Sequence, residues 1–166
     1  QFPAYIAQQF GDLLDYFGTT GAMRVSDLRP EHGPFDTIMM MGNNLGLLGT
    51  HRSAPALLRK FHRLTSEDGR IIAESMDPRV IRDPDQRRHQ RQNRTRGLLP
   101  GQVRFRARYK TFVTPWFDYL FISPSDLRRL IVGTGWKVQC VMREDGPPYI
   151  VVLEKEPRRR AAKSVG

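Results

Sequence analysis

The sequence predicts an α/β fold organised around parallel strands, and three stretches carry that prediction. Residues 35–47, FDTIMMMGNNLGL, carry the acidic Asp36 near their start, run through an apolar block and stop abruptly in Gly-Asn-Asn-Leu-Gly. A continuous apolar run of this length is expected of a strand covered on both faces, the habit of a parallel sheet flanked by helices. Residues 53–64 then set Leu57, Leu58, Phe61 and Leu64 on one side of a helix, with Ser53 as its N-cap and Pro55 in its first turn. Glu67-Asp68-Gly69 is a turn signal, and residues 70–75, RIIAES, read as a second buried strand. The three stretches form a β-α-β unit whose two strands should be adjacent, parallel and largely buried, Met39 and Ile71 included.

The remaining elements follow in chain order. Residues 4–17 bring Ile6, Phe10, Leu13, Leu14 and Phe17 near helical spacing, and residues 22–26 suit a short strand before the breaks at Pro30 and Pro34. Residues 77–101 lack apolar periodicity and read as a solvated excursion. Alternation then begins: Val103, Phe105, Ala107, Tyr109 and Thr111 share one face of a strand, and Arg104, Arg106, Arg108 and Lys110 share the other. Residues 116–123, WFDYLFIS, should pair back against it, aromatics inward. Ser123 caps a helix that has Pro124 at its first position, runs to about Thr134 and stops at Gly135. Residues 136–142 and 149–155 are closing strands, and the turn between them is too short for a crossover, so they should be antiparallel.

At 166 residues the chain suits one domain over 1–156, with 77–118 as a basic insertion and 157–166 as a basic, disordered tail. No apolar run approaches the roughly 20 residues that span a bilayer, and no signal pattern opens the chain, so a cytoplasmic protein without membrane partners is expected. The single cysteine, Cys140, excludes an internal disulfide framework and reads as a core thiol. Histidines 32, 51, 62 and 89 have no ligand spacing, so no metal site is expected. The net charge of +10 raises nucleic acid as a partner, but seven arginines against two aspartates between Arg79 and Arg96 concentrate the excess in one polar segment.

At residues 35–50, FDTIMMMGNNLGLLGT, at LTSEDGRIIAESMDP and at SPSDLRRLIVGTGWKVQCVMREDGPPYIVVLEKE, the sequence resembles the latter part of a class I S-adenosylmethionine-dependent methyltransferase. In that family an acidic residue starts the fourth strand, a turn leads into the fifth, and a Gly-Trp-x-Val enters the sixth beside an antiparallel seventh. The resemblance covers about residues 22–155 and implies a partial Rossmann-like methyltransferase sheet with a closing antiparallel strand and an inserted β-hairpin. It implies S-adenosylmethionine as cofactor and transfer of a methyl group to a small-molecule acceptor or to nucleic acid. The family's glycine-rich donor loop and the acidic residue after its second strand are not found among the thirty-five residues before Asp36, which suggests a piece of a longer enzyme or a divergent relative without the donor pocket. A catalytically silent module, binding nucleic acid or a protein through its arginines, is the alternative.

Candidate site residues gather at strand ends. Met41, Gly42, Asn43 and Asn44 close the first buried strand, where open α/β sheets bind ligands, and amides there can bond a carboxylate, an ammonium or sugar hydroxyls. The alternative is a turn in which the Asn side chains satisfy local backbone groups. Replacing both by alanine should spare the fold. By resemblance Asp27 would face the adenine edge, although an Asx turn before Pro30 explains it equally. Glu74 and Asp77 follow the second strand, as a general base or as surface carboxylates paired to arginines, and His51 is an acid/base candidate. The Arg104, Arg106, Arg108 and Lys110 ladder beside Tyr109, Phe112, Trp116 and Phe117 mixes charge and rings as single-strand surfaces do. The 103–122 hairpin could equally serve as a lid or a homodimer contact.

Overall fold

The computed structural model describes residues 27–143 and 145–157. The expected helix over 4–17, the strand over 22–26 and the basic tail from 158 onward lie outside them. The chain divides into two compact units, Gln1–His32 and Gly33–Gly166. Of the first, the described residues hold Asp27 and a one-turn 3-10 helix, Pro30–His32.

The second unit is built on a four-stranded sheet. Strand β1 (Phe35–Met40) leads through a 3-10 turn (Asn44–Leu48) into helix α1 (Ala54–Leu64) and strand β2 (Thr65–Met76). Helix α2 (Pro84–Thr95) follows, then the short strands β3 (Gln102–Phe105), β4 (Arg108–Tyr109), β5 (Phe112–Val113) and β6 (Phe117–Leu120). Helix α3 (Pro124–Leu130) and strands β7 (Trp136–Arg143) and β8 (Pro148–Lys155) complete the chain. The sheet order is β1-β2-β8-β7. Strands β1 and β2 are parallel, with Ile38 opposite Ile71 and Met40 opposite Ala73, while β8 runs antiparallel to both β2 and β7. The expected β-α-β unit and antiparallel closing strand are both present.

Local chemistry accounts for these elements. Helix α1 buries Ala54, Leu58, Phe61 and Leu64, positions that recur on one side at 3.6 residues per turn. Its C-terminal turn carries Arg63, a cation where the helix dipole favours one. Ser53 occupies the N-cap position, but its hydroxyl donates to the Leu48 carbonyl at 2.9 Å and caps no helical N–H. At α3 the cap works as expected: Ser123 Oγ accepts from the Asp126 N–H at 3.1 Å, with Pro124 at the first position. The core between sheet and helices includes Leu58, Ile71, Leu120, Leu127, Trp136 and Leu153. Trp136 lies fully inside it and donates its indole N–H to the Leu58 carbonyl at 2.9 Å.

Five expectations are corrected. First, strand β1 is not largely buried: only Met40 is covered, Ile38 is half-buried and Met39 is 68% exposed, although Ile71 on β2 is fully buried. Strand β1 has β2 on one side and, among the described residues, no strand on the other. Second, Glu67-Asp68-Gly69 lies inside β2 as a register irregularity, because Phe35 pairs with Thr65 while Thr37 already pairs with Arg70. Third, the excursion over 77–101 contains α2, a polar helix capped by Asp83, whose carboxylate accepts from the Gln86 N–H at 2.8 Å. An apolar stripe is missing because its buried side chains, Gln90 and Asn93, are polar. Fourth, the expected strand over 103–111 is broken after Phe105, and β4 and β5 form a separate two-stranded ribbon. Its aromatics do not pack inward: Tyr109, Phe112 and Trp116 are all more than half exposed. Fifth, Cys140 is half-buried, so it is no enclosed core thiol.

Candidate functional site

Strand β1 ends at Met40, and the chain turns immediately through Met41, Gly42 and Asn43. Gly42 and Asn43 both take the left-handed conformation, with φ of 68° and 63°. Glycine adopts it without strain and asparagine tolerates it, which is why these two residue types stand there. Alanine at 43 would therefore be strained by roughly 1–2 kcal/mol, a cost that the double alanine variant would carry.

Two long-range contacts fix this turn. The Glu74 carboxylate, near the end of β2, accepts from the Gly42 N–H at 2.8 Å. The register explains the reach, since Met40 sits opposite Ala73 and brings the two strand ends level. From the β6 side, the Tyr119 hydroxyl donates to the Asn43 carbonyl. Burial of that phenol, and then the nearby Glu74 charge, raise its pKa above the ordinary value, which keeps it a donor. Gly46 completes the clamp: a Cβ there would lie 2.1 Å from Tyr119 Cε1, so only glycine lets the ring close on the turn.

The Asn43 carbonyl is thus doubly engaged, since it also accepts from the Gly46 N–H at 2.9 Å. The side chain builds nothing locally. Its Oδ1 is buried and has no hydrogen-bond partner, the one such side-chain atom among the described residues. A buried acceptor left unpaired costs about 1–3 kcal/mol, so this oxygen is the one buried side-chain polar atom of the turn that the described residues leave unsatisfied. Beside it a Cβ placed on Gly42 would meet nothing within 4 Å beyond its chain neighbours, and Met41 and Asn44 are exposed.

The other candidates fall as follows. Asp77 is buried, its Oδ2 accepting from Arg143 Nη2 at 2.8 Å, which makes it a structural ion pair and not a surface one. Glu74 serves a backbone N–H in place of an arginine. His51 Nδ1 lies 3.3 Å from Gln102 Oε1, so its described partner is the first residue of β3. Asp36 accepts from the Ser66 hydroxyl at 2.6 Å at the start of the β1–β2 pair. Asp27 belongs to the first unit. Within the basic ladder, Arg104 pairs with Asp118 at 3.5 Å and Arg106 stacks over Trp116 at 4.9 Å. Tyr119 was not singled out from sequence. Its signal was the alternation in WFDYLFIS, where Phe117, Tyr119 and Phe121 share one face and Leu120 and Ile122 fill the core from the other.

No family model matches this sequence, and no curated protein does. Solved structures do. The chain is similar to an S-adenosylmethionine-dependent methyltransferase from Bacteroides fragilis solved with S-adenosyl-L-homocysteine, at 27% identity and a TM-score of 0.60, over 75% of this chain and 49% of that one. It is also similar to the CcbJ methyltransferase from Streptomyces caelestis, at 11% identity and a TM-score of 0.54, over 81% of this chain and 62% of that one. A third is an S-adenosylmethionine-dependent methyltransferase from Clostridium acetobutylicum, at 7% identity and a TM-score of 0.59, over 95% and 74% of the two chains. The chain spans about half the length of the first of these. It carries the class I methyltransferase fold. Among the described residues no helix is long and apolar enough to cross a membrane.

Proposed function

We propose that the chain takes part in S-adenosylmethionine-dependent transfer of a methyl group to a small-molecule acceptor, with Met41, Gly42, Asn43 and Asn44 as its contribution to the cofactor site. The observation that carries this reading is the unpartnered, buried Asn43 Oδ1 at the carboxyl end of a parallel strand. In open α/β sheets that edge is where ligands sit. The residues present suit the group: an amide acceptor takes an ammonium or a sugar hydroxyl, and the left-handed glycine beside it lets the backbone come close. The solved relative from Bacteroides fragilis holds S-adenosyl-L-homocysteine, which supports the same cofactor class here.

When bound, the cofactor supplies an electrophilic methyl group on a sulfonium centre. The chain's own residues contribute alignment. Glu74 and Tyr119 hold the turn from two sides, so the Asn43 amide meets its ligand with little left to order. Methyl transfer is an in-line displacement, and holding two reactants aligned accounts for a large part of its acceleration. Among the described residues the turn carries no nucleophile–base pair, in keeping with that chemistry.

Calorimetric titration of the full chain with S-adenosylmethionine and S-adenosylhomocysteine tests the proposal. Binding heat that falls in an Asn43→Gly variant supports it; absence of heat with both ligands overturns it.

A further inference from the structure

Between α2 and the β3–β6 ribbon lies a chamber, half-open to solvent and of about 570 Å³, that the cofactor turn does not use. We propose that it takes the flat, uncharged aromatic ring of the methyl acceptor, an inference that rests on the methyltransferase reading. A volume of this size falls within the ordinary range for small-molecule sites, roughly 300–1,000 Å³. Met76, Pro78, Val103, Phe105 and Phe121 give it apolar walls.

Three observations point to a ring. Phe105 and Phe121 meet edge to face, 6.2 Å between centroids at 75°, and Phe105 remains 40% exposed. Aromatic groups arranged this way leave faces and edges on which a further ring stacks favourably, and a methionine thioether adds to such contacts. The charged residues of the lining are balanced and individually partnered, Asp85 by Arg88 at 3.4 Å and Arg104 by Asp118 at 3.5 Å. An ionised ring would therefore enter without a counter-charge. Finally, the chamber adjoins the cofactor turn through one residue. The Tyr119 ring packs on Phe105 at 5.4 Å and on Phe121 at 5.2 Å, while its hydroxyl holds the Asn43 carbonyl. Met76, two positions beyond Glu74 on β2, enters the chamber from the other side. Polar direction comes from the helix: Gln90 is fixed by its bond to the Pro78 carbonyl at 2.7 Å, and His89 Nε2 lies 3.1 Å from the Gln102 carbonyl.

The test uses the full chain and three probes of similar size: 2-naphthol, its saturated analogue decahydro-2-naphthol, and the 2-naphthoate anion. Saturation-transfer NMR gives their affinities, and calorimetry with S-adenosylhomocysteine runs on the same samples. We expect 2-naphthol to bind at least fivefold more tightly than either comparator. Val103→Trp, which fills the chamber, should weaken 2-naphthol at least tenfold and change S-adenosylhomocysteine affinity less than twofold. If that variant unfolds, Phe105→Leu, which keeps the apolar volume and removes the ring, should still weaken 2-naphthol severalfold. Equal affinity for the saturated probe, preference for the anion, or unchanged 2-naphthol binding in the variant that folds overturns the chamber while leaving the cofactor reading standing. Ring binding that follows these expectations without any S-adenosylhomocysteine heat removes the cofactor reading and with it the acceptor role.

Discussion

Replacing Asn43 by glycine separates a ligand contact from a structural one more cleanly than any other change at this turn. Asn43 has φ 63° and ψ 14°, a left-handed geometry that costs a residue with a plain Cβ roughly 1–2 kcal/mol and costs glycine nothing. Asn43→Ala therefore mixes backbone strain with loss of the amide, whereas Asn43→Gly removes the amide alone. Because Oδ1 has no partner among the described residues, its removal breaks no hydrogen bond with them. Removing the unpaired acceptor offsets the added freedom of a glycine in the unfolded chain, so stability should fall by no more than about 1 kcal/mol. The ligand should lose one hydrogen bond, about 0.5–1.5 kcal/mol, which is about a two- to thirteenfold rise in Kd. Calorimetry with S-adenosylhomocysteine and thermal unfolding on one preparation read both quantities. Unchanged affinity in Asn43→Gly together with a clear drop in melting temperature would refute the reasoning, because the amide would then be a structural element after all.

Three further outcomes follow from the same geometry. Gly46→Ala drives a methyl into the Tyr119 ring and should cost about 1–3 kcal/mol by overpacking, and Tyr119→Ala in the same chain should recover part of that loss; no recovery in denaturant titrations would place the clash elsewhere. Trp136→Ala empties the centre of the core and leaves the Leu58 carbonyl without its donor, so a loss of about 3–5 kcal/mol is expected, and a loss below 1 kcal/mol would contradict the packing described. Tyr149, buried and donating to the Ile122 carbonyl at 2.7 Å, has its pKa raised first by burial, with Asp77 adding to the rise. Above pH about 10 the unfolded phenol releases its proton while the folded one keeps it, so its stabilising contribution is whole below that pH and falls by about 1.4 kcal/mol per unit above it. Stability measured at pH 9 and 11 should therefore fall more steeply in the parent than in Tyr149→Phe, and equal slopes would refute the assignment.

Sequence alone determined the elements whose signals are local. The apolar block 35–41, the stripe of Leu58, Phe61 and Leu64, the Ser123-Pro124 cap and the short connection before Tyr149 each encode a period, a terminus or a chain reversal within a few residues. Those signals were enough for a β-α-β unit closed by an antiparallel strand. The Asn43 turn was legible as a strand end, but the state of its atoms was not. Tertiary structure decided that Glu74 and Tyr119 hold the turn, the latter from 76 residues away, and that Oδ1 is left with nothing to bond. It also decided that Met39 faces outward and that a polar segment coils into α2. Periodicity reports which residues could be covered or bonded; only the elements brought against them from elsewhere in the chain fix which of them are.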